Sequence, residues 1–217
     1  MTAKDPRGWL TEFQVEVAQL FFSLPASGGF LLAGGAALLA HGLTARATQD
    51  LDFFTRPDAG DVGLARDQFI AAADVRGWHV DRVQDAGTFC RLLVHGPEDL
   101  LVDLALDSAP GRPGSASIAG PTFAPDELAG RKVIALFDRA AARDFVDVYA
   151  LSRRFSTTEL LGLAREVDAG FDPGVFTDML KHLARYADVD LALGDVDIAA
   201  LRAFFQHWIA ELNLGEH

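Results

Sequence analysis

The chain has 217 residues, half of them hydrophobic, and a formal net charge of −12. This length allows one sizeable domain or two small ones, and the composition excludes a disordered chain. The acidic balance argues against a simple basic nucleic-acid binder. Lysine and arginine outnumber acidic residues only in residues 111–154, so that segment should face an anion if one binds.

Three features that the sequence lacks indicate the cellular compartment: a signal peptide, a membrane-spanning run and a pair of cysteines. The first residues lack the apolar stretch of a signal peptide, and no apolar run is long enough to span a membrane. The single cysteine, Cys90, excludes an intrachain disulfide and suits a reducing environment. We therefore expect a soluble cytoplasmic protein without a membrane partner.

The N-terminal half alternates helical and strand patterns. Apolar residues at the helical period predict a first helix from Trp9 to Leu24. Short apolar runs between turn residues predict strands over 30–33, 51–55, 78–83, 88–94 and 100–106. Further helices are predicted over 36–41, after the glycine pair Gly34-Gly35, and over 62–75.

The C-terminal half reads differently. Residues 107–125 are rich in Gly, Pro and Ser and predict a long loop. Beyond it every segment has the helical period, which predicts helices over 126–153, 157–168, 173–187 and 196–213. The whole pattern predicts an α+β fold, in which a mixed β-sheet with helices in residues 1–110 precedes an all-helical part in 111–217.

Two aspartates share one face of a predicted strand. In the run Gln-Asp-Leu-Asp-Phe, Asp50 and Asp52 are two residues apart, so in an extended strand both carboxylates point the same way. Leu51 and Phe53 then point into a core. Two carboxylates about 7 Å apart along a strand can hold one or two divalent cations. Such a cation clamp is typical of phosphoryl or nucleotidyl transfer.

A transferase site of this kind needs a third carboxylate, and Asp103 is the best candidate. It lies in a strand too apolar to expose an acid by accident, and burying an acid is costly unless it is paired or bound to metal. The alternative is a structural acid held by hydrogen bonds. Beside Asp50 and Asp52 we favour metal binding or general-base duty.

A second constellation is helical. If residues 126–153 form one helix, four charged residues lie within one narrow stripe: Lys132, Arg139, Arg143 and Asp147. An exposed, salt-bridged helix edge is the commoner fate of such charges. The local positive charge favours a phosphate-binding stripe instead, in which Lys132 supplies a point charge and Asp147 orients it.

These segments together carry a family resemblance, which runs from about Phe30 to Leu151. The chain resembles the AbiEii/AbiGii-type toxin nucleotidyltransferases, which include the mycobacterial MenT toxins, within the DNA-polymerase-β-like nucleotidyltransferase superfamily. Three segments carry it: Gly34-Gly35 with the Ala-Ala-Leu that follows, the run Arg46–Phe53, and the run from Lys132 through Arg139 to Asp147. The resemblance implies a nucleotidyltransferase-type mixed sheet whose cleft the helical part closes.

The resemblance also implies roles for single residues. Asp50 and Asp52 would bind Mg²⁺, for which Mn²⁺ could substitute; the apolar strand around Asp103, rather than the resemblance, adds that residue to the site. Thr48 stands where the family carries a Ser or Thr near the metal.

The remaining roles concern the NTP substrate. Lys132 and Asp147 would be essential active-site residues, and Arg139 would help to neutralise phosphates. The family more often has a hydroxyl residue just after the glycine pair, where this chain has alanines. Gly34 and Gly35 would therefore contact the triphosphate through backbone N–H groups alone.

The activity implied is that of a toxin that transfers a pyrimidine nucleotide from NTP to the 3′ end of tRNA. Pyrophosphate is released, aminoacylation stops, and a separate antitoxin protein counters the toxin. On an acidic chain, tRNA must bind a local basic surface, for which the best candidates are Arg112, Arg153 and Arg154. Two alternatives stay open: an aminoglycoside-type nucleotidyltransferase, which the acidic surface suits, and a non-catalytic partner-binding module of the same fold.

Overall fold

The computed structural model describes residues 10–214, which form two compact units. The first takes the chain up to Gly42 and then Ala47–Ala124, and it carries the sheet. The second joins the short segment Leu43–Arg46 to the chain from Pro125 onward, and it is helical. Trp9, where the first helix was expected to begin, lies outside the described residues.

A mixed β-sheet forms the centre of the first unit. Its strands are β1 (Leu31–Ala33), β2 (Asp50–Thr55), β3 (His79–Asp85), β4 (Phe89–His95), β5 (Asp99–Leu106), β6 (Ser115–Ser117) and β7 (Gly120–Thr122), in the order β3-β4-β5-β2-β1-β7-β6. Strand β2 is central, antiparallel to β1 on one side and parallel to β5 on the other. The strand with the two aspartates is therefore held from both sides.

Helices pack on this sheet around a cluster of phenylalanines. They are α1 (Glu12–Phe22), α2 (Gly34–Ala40) and α3 (Val62–Val75), with a 3₁₀ turn over Pro25–Ser27. Phe21 of α1 stacks on Phe53 of β2 with ring centroids 4.2 Å apart and meets Phe30 edge-on. These rings are buried, and each buried aromatic contributes a large apolar area to the core.

The second unit is built from helices alone. They are α4 (Pro125–Arg139), α5 (Ala142–Leu151), α6 (Thr157–Val167), α7 (Pro173–Lys181), α8 (Asp188–Leu191) and α9 (Ile198–Leu214), with a 3₁₀ turn over His182–Arg185. Its core contains four buried aromatic side chains in mutual contact: Phe145, Phe176, Phe205 and Trp208.

The predicted α+β class is confirmed, and two local predictions are wrong. The expected loop 107–125 contains the hairpin β6–β7, which joins the sheet where Thr122 pairs in register with Leu32. The expected helix 126–153 is two helices, because Ala140 takes a positive φ of 45° that ends α4. Both errors come from pairing and packing that local sequence patterns do not contain.

Two further expectations concern the single cysteine and membrane-spanning segments. Cys90 lies buried in β4, and burial raises the pKa of its thiol to about 11, so the group stays protonated at neutral pH. Within residues 10–214, no helix combines the length and the apolar character needed to cross a bilayer.

Helices α4 and α6 approach closely at Gly130, and this contact can be tested. A Cβ at Gly130 would lie 2.5 Å from the backbone oxygen of Leu163, whereas a Cβ at Gly162 on α6 would meet nothing within 4 Å. We expect Gly130→Ala to lower the free energy of unfolding by about 1–3 kcal/mol through overpacking. Gly162→Ala should raise it by about 0.5–1 kcal/mol. Urea unfolding of both variants measures this, and equal effects would contradict the close approach.

Candidate active site

The two strand aspartates lie on one face of β2, as the spacing predicts. Burial alternates along the strand, with Leu51 and Phe53 fully buried and Asp50 and Asp52 partly exposed on the opposite face. Strand β2 adopts this alternation because its apolar residues meet the phenylalanine core while its acids do not. The pair thus presents two carboxylates from a rigid, central strand.

Gly34 brings backbone directly against one of these carboxylates. It follows β1 with a φ of +61°, and a Cβ on it would lie only 1.8 Å from Oδ2 of Asp52. Glycine is therefore required twice, by the left-handed backbone and by the close approach. Gly35 follows as a buried residue of α2. The part that this glycine pair plays in nucleotide binding stays a prediction.

Thr48 fixes the other carboxylate. Its hydroxyl donates a hydrogen bond of 2.5 Å to Oδ1 of Asp50, and its own backbone carbonyl accepts one of 2.9 Å from the Gln14 side chain. Gln14 is buried on α1, where it also completes a capping box with Thr11. The Thr-x-x-Gln spacing signals that cap. Gln14 also holds the chain before β2 through its hydrogen bond to the Thr48 carbonyl. Local sequence patterns do not reveal this non-local contact.

Asp103 is buried and lies in register beside Asp52, on the neighbouring strand β5. Both of its oxygens accept hydrogen bonds from Arg91. The Arg91 Nε–Oδ1 distance is 2.8 Å and the Nη2–Oδ2 distance is 2.6 Å. Between residues 10 and 214 no three His, Cys, Asp or Glu side chains are grouped as a metal site.

The residues present nevertheless fit a hydrated magnesium ion. Mg²⁺ keeps several waters in proteins and is often held by one or two carboxylates together with substrate phosphates. Asp50 and Asp52 offer such a pair, because both are partly exposed on the same face of a central strand. The predicted metal role of Asp103 stays a prediction.

The helical unit holds a second cluster, organised by the break at Ala140. Tyr186 donates a hydrogen bond of 2.9 Å to the Ala140 carbonyl at this break. Because α5 starts anew at Ala142, the single stripe expected on one long helix does not form: Arg143 is exposed, whereas Asp147 is fully buried. That prediction is wrong. The break instead turns the acids of α5 toward the cations of α4.

Asp147 is held by three partners. Arg46 donates two hydrogen bonds to its carboxylate, at 3.0 Å from Nε to Oδ1 and 2.9 Å from Nη2 to Oδ2. The Lys132 Nζ lies 3.1 Å from Oδ2, and the Thr44 hydroxyl donates to Oδ1 over 3.2 Å. Asp147 therefore contacts Lys132 directly, and the active-site roles of the two residues stay a prediction.

Asp144 is the second fully buried acid of this cluster. Arg139 binds it through two hydrogen bonds of 2.8 and 2.9 Å, and Lys132 Nζ lies 3.5 Å away. Burial alone would raise the pKa of Asp144, but the hydrogen bonds from Arg139 and the charge of Lys132 lower it below the ordinary value.

The cluster as a whole places three cations around two buried anions. Its formal charge is therefore positive, from Lys132, Arg46 and Arg139 against Asp144 and Asp147. An excess of positive charge favours binding of an anion such as a phosphate, and Arg139, with its side chain about half exposed, is the cation of this cluster that solvent reaches most. The sequence motifs contain Arg46 and Asp144 but do not indicate these roles, because Arg46 reaches its partner over 101 residues of chain.

The three arginines expected to bind tRNA lie in different parts of the chain. Arg112 is half-buried and precedes β6 in the sheet unit. Arg153 and Arg154 are exposed just after α5, and the Arg153 guanidinium lies 5.9 Å from the centre of the Tyr149 ring. Whether they contact RNA stays a prediction.

The sheet unit presents an Asp-x-Asp strand beside a glycine turn, and the helical unit holds a buried Lys–Asp pair. The family profile described as "Nucleotidyl transferase AbiEii toxin, Type IV TA system" matches residues 21–205, and the chain belongs to this family. It is thus a nucleotidyltransferase of the toxin class of toxin–antitoxin systems.

Solved structures show the same fold at low sequence identity. MenT4, a nucleotidyltransferase toxin from Mycobacterium tuberculosis H37Rv, superposes with a TM-score of 0.62 at 18% identity, covering 93% of this chain and 82% of that one. JHP933 from Helicobacter pylori gives a TM-score of 0.57 at 19% identity, covering 96% and 97%. Among curated proteins, no sequence matches significantly.

The Gly34 contact predicts a sharp difference between two glycines with the same backbone. Gly34 and Gly42 share a φ of +61°, but a Cβ at Gly42 would meet nothing within 4 Å. Gly42→Ala should cost roughly 1–2 kcal/mol of stability from the left-handed backbone and leave activity intact. Gly34→Ala should in addition displace Asp52 and lower nucleotide transfer by about 10²-fold. Equal loss of activity in both variants would contradict this assignment.

The buried acid Asp144 gives a pH-dependent prediction. Its lowered pKa means that the ion pairs stabilise the fold above the unfolded-state value near 3.8 and lose that effect as pH falls through the lowered folded-state value. Asp144→Asn should cost about 3–5 kcal/mol at pH 7, with the difference from wild type shrinking below pH 3.8. Asp178→Asn, at an exposed pair with Lys181, is the control and should change little. Urea unfolding of both variants across this pH range measures the difference.

Proposed function

We propose that this toxin transfers a nucleotide from NTP to the 3′ end of tRNA and so blocks aminoacylation. The observation that carries the catalytic part is the carboxylate pair on β2, fixed by Thr48 and pressed against Gly34. The tRNA acceptor and the pyrimidine donor rest on resemblance to the toxin family. Both substrates place the reaction in the cytoplasm, and a separate antitoxin protein would restrain it.

The proposed roles divide between metal and phosphate binding. Asp50 and Asp52 hold Mg²⁺, or Mn²⁺ in its place, which when bound supplies positive charge to the reacting phosphates. Lys132 adds a point charge that Asp144 and Asp147 keep fixed, and Arg139 offers a half-exposed guanidinium beside it. These residues favour the charge that builds up on the phosphates during transfer.

The reaction is a simple displacement. The oxygen of the acceptor hydroxyl bonds to the α-phosphorus of NTP, and the bond from that phosphorus to the β-phosphate bridge oxygen breaks. The hydroxyl proton passes to solvent water, and pyrophosphate leaves with the bonding electrons. The protein's part is to bind, align and neutralise, since little covalent chemistry falls to its side chains.

The decisive experiment incubates the protein with labelled NTPs, total tRNA and Mg²⁺. We expect labelled tRNA with wild type and none with Asp50→Ala or Lys132→Ala. Asp74→Ala and Lys181→Ala are matched controls, because each removes the same kind of charge from an exposed position, and both should label tRNA as wild type does. Circular dichroism confirms that each variant is folded.

The strongly acidic chain gives a second candidate acceptor, a cationic small molecule such as an aminoglycoside. Adding such a compound to the same reaction separates the two. Transfer to the drug alone would replace the tRNA proposal with this one, while labelled tRNA in its presence would exclude it as the main substrate.

The acceptor can also be tested through charge. Neutralising Arg112, Arg153 and Arg154 together should weaken tRNA labelling and flatten its salt dependence by roughly one log–log unit for each phosphate that the protein no longer neutralises. A short mimic of the tRNA 3′ end should be labelled almost as well as before. Neutralising three exposed arginines without a proposed role, Arg56, Arg165 and Arg185, removes equal charge. If both triple variants behave alike across a salt titration, tRNA does not dock on the first set.

A further inference from the structure

A row of four residues crosses the sheet at the level of the carboxylates. Ala33 of β1 pairs with Asp52 of β2, Asp52 with Asp103 of β5, and Asp103 with Arg91 of β4. Side chains at paired positions of neighbouring strands lie on the same face of a sheet. Arg91 therefore stands on the same face as the carboxylate pair, one strand beyond Asp103.

Arg91 and Asp103 form a closed pair rather than a loose contact. The guanidinium presents two N–H groups to the two carboxylate oxygens at 2.8 and 2.6 Å, which is the bidentate geometry that gives the strongest charge-assisted hydrogen bonds. The Asp103 side chain is only 7% exposed. Arg91 occupies one lone-pair site on each of these oxygens, and its positive charge repels a cation that approaches the remaining sites.

The charge of Arg91 also reaches the metal-binding pair. The hydrogen bond to Asp103 raises the pKa of Arg91, and the negative charges of Asp103, Asp50 and Asp52 add to that effect. Its guanidinium lies 5.8 Å from the centre of the Phe89 ring, a second favourable contact. Arg91 is thus a permanent cation next to three carboxylates.

We propose that the site binds one divalent ion, which Asp50 and Asp52 hold. In an enzyme that uses two ions, the second ion supplies positive charge to the third carboxylate; here Arg91 supplies that charge to Asp103. This inference rests on the proposed metal role of Asp50 and Asp52. It makes Arg91 a positioning residue: it keeps Asp103 out of the metal's coordination and limits the negative charge of the site. The guanidinium and a second cation would compete for the negative charge of the same carboxylate.

The test counts Mn²⁺ ions without NTP or tRNA, by the loss of the free-ion electron paramagnetic resonance signal. Wild type should bind one Mn²⁺. Arg91→Met, which keeps the length of the side chain but not its charge, should bind two. Two ions about 4 Å apart also broaden each other's spectrum. Arg91→Met/Asp103→Asn should return to one, because the second ion needs the freed carboxylate.

Two more variants keep the outcome decisive. Arg82→Met on β3 removes an exposed arginine whose partners are Asp67 and Asp85, and it should still bind one ion. The single variant Asp103→Asn should also bind one ion. This variant tests the proposal even if Arg91→Met does not fold.

The possible failures are distinct. Two ions on wild type, one ion on a folded Arg91→Met variant, or absence of the ion from Asp103→Asn would overturn the role of Arg91. No ion on wild type, with NTP absent or present, would instead overturn the proposed metal role of Asp50 and Asp52.

Discussion

A carboxylate that water cannot reach is stable only beside positive charge, and the helical unit depends on two of them. Asp144 and Asp147 are fully buried on α5, so Arg139, Arg46 and Lys132 must lie where they do. Lys132 is fixed between the two acids rather than free to sample solvent, so the phosphate binding proposed for it would not carry the entropy cost of ordering its side chain. The residue expected to matter for chemistry is thus held by the same interactions that hold the fold.

In the sheet unit, the two aspartates of β2 are partly exposed instead of fully buried. Asp50 and Asp52 stay partly exposed on a strand whose other face is fully buried, so their position costs little desolvation. What fixes them is geometry: a hydroxyl on one carboxylate and a glycine backbone against the other. Asp103, which is buried and paired in register with Asp52, has a cation beside it in Arg91.

The alternation of apolar and polar residues predicted most strands, and the helical spacing of apolar residues predicted most helices. Both patterns arise because one face of each element is buried. The face shared by Asp50 and Asp52 follows from spacing alone. The break at Ala140 was not predictable, since an alanine carries no sign of a left-handed backbone that tertiary contacts impose. The same holds for Gln14 and Arg91: each acts through a partner on another element, and a single sequence shows which residues are polar but not which ones meet.

The segment Leu43–Arg46 has a consequence for how the protein is made. It belongs to the helical unit, although the chain of the sheet unit runs on both sides of it. During synthesis Arg46 leaves the ribosome about a hundred residues before Asp147, so its buried ion pair cannot form until α5 has emerged. Neither unit is a continuous stretch of polypeptide, and helices cut out from Pro125 onward would lack one of the two cations that neutralise Asp147. The helical unit is therefore completed only after α5 has been synthesised, and it cannot be exchanged by cutting the chain at a single point.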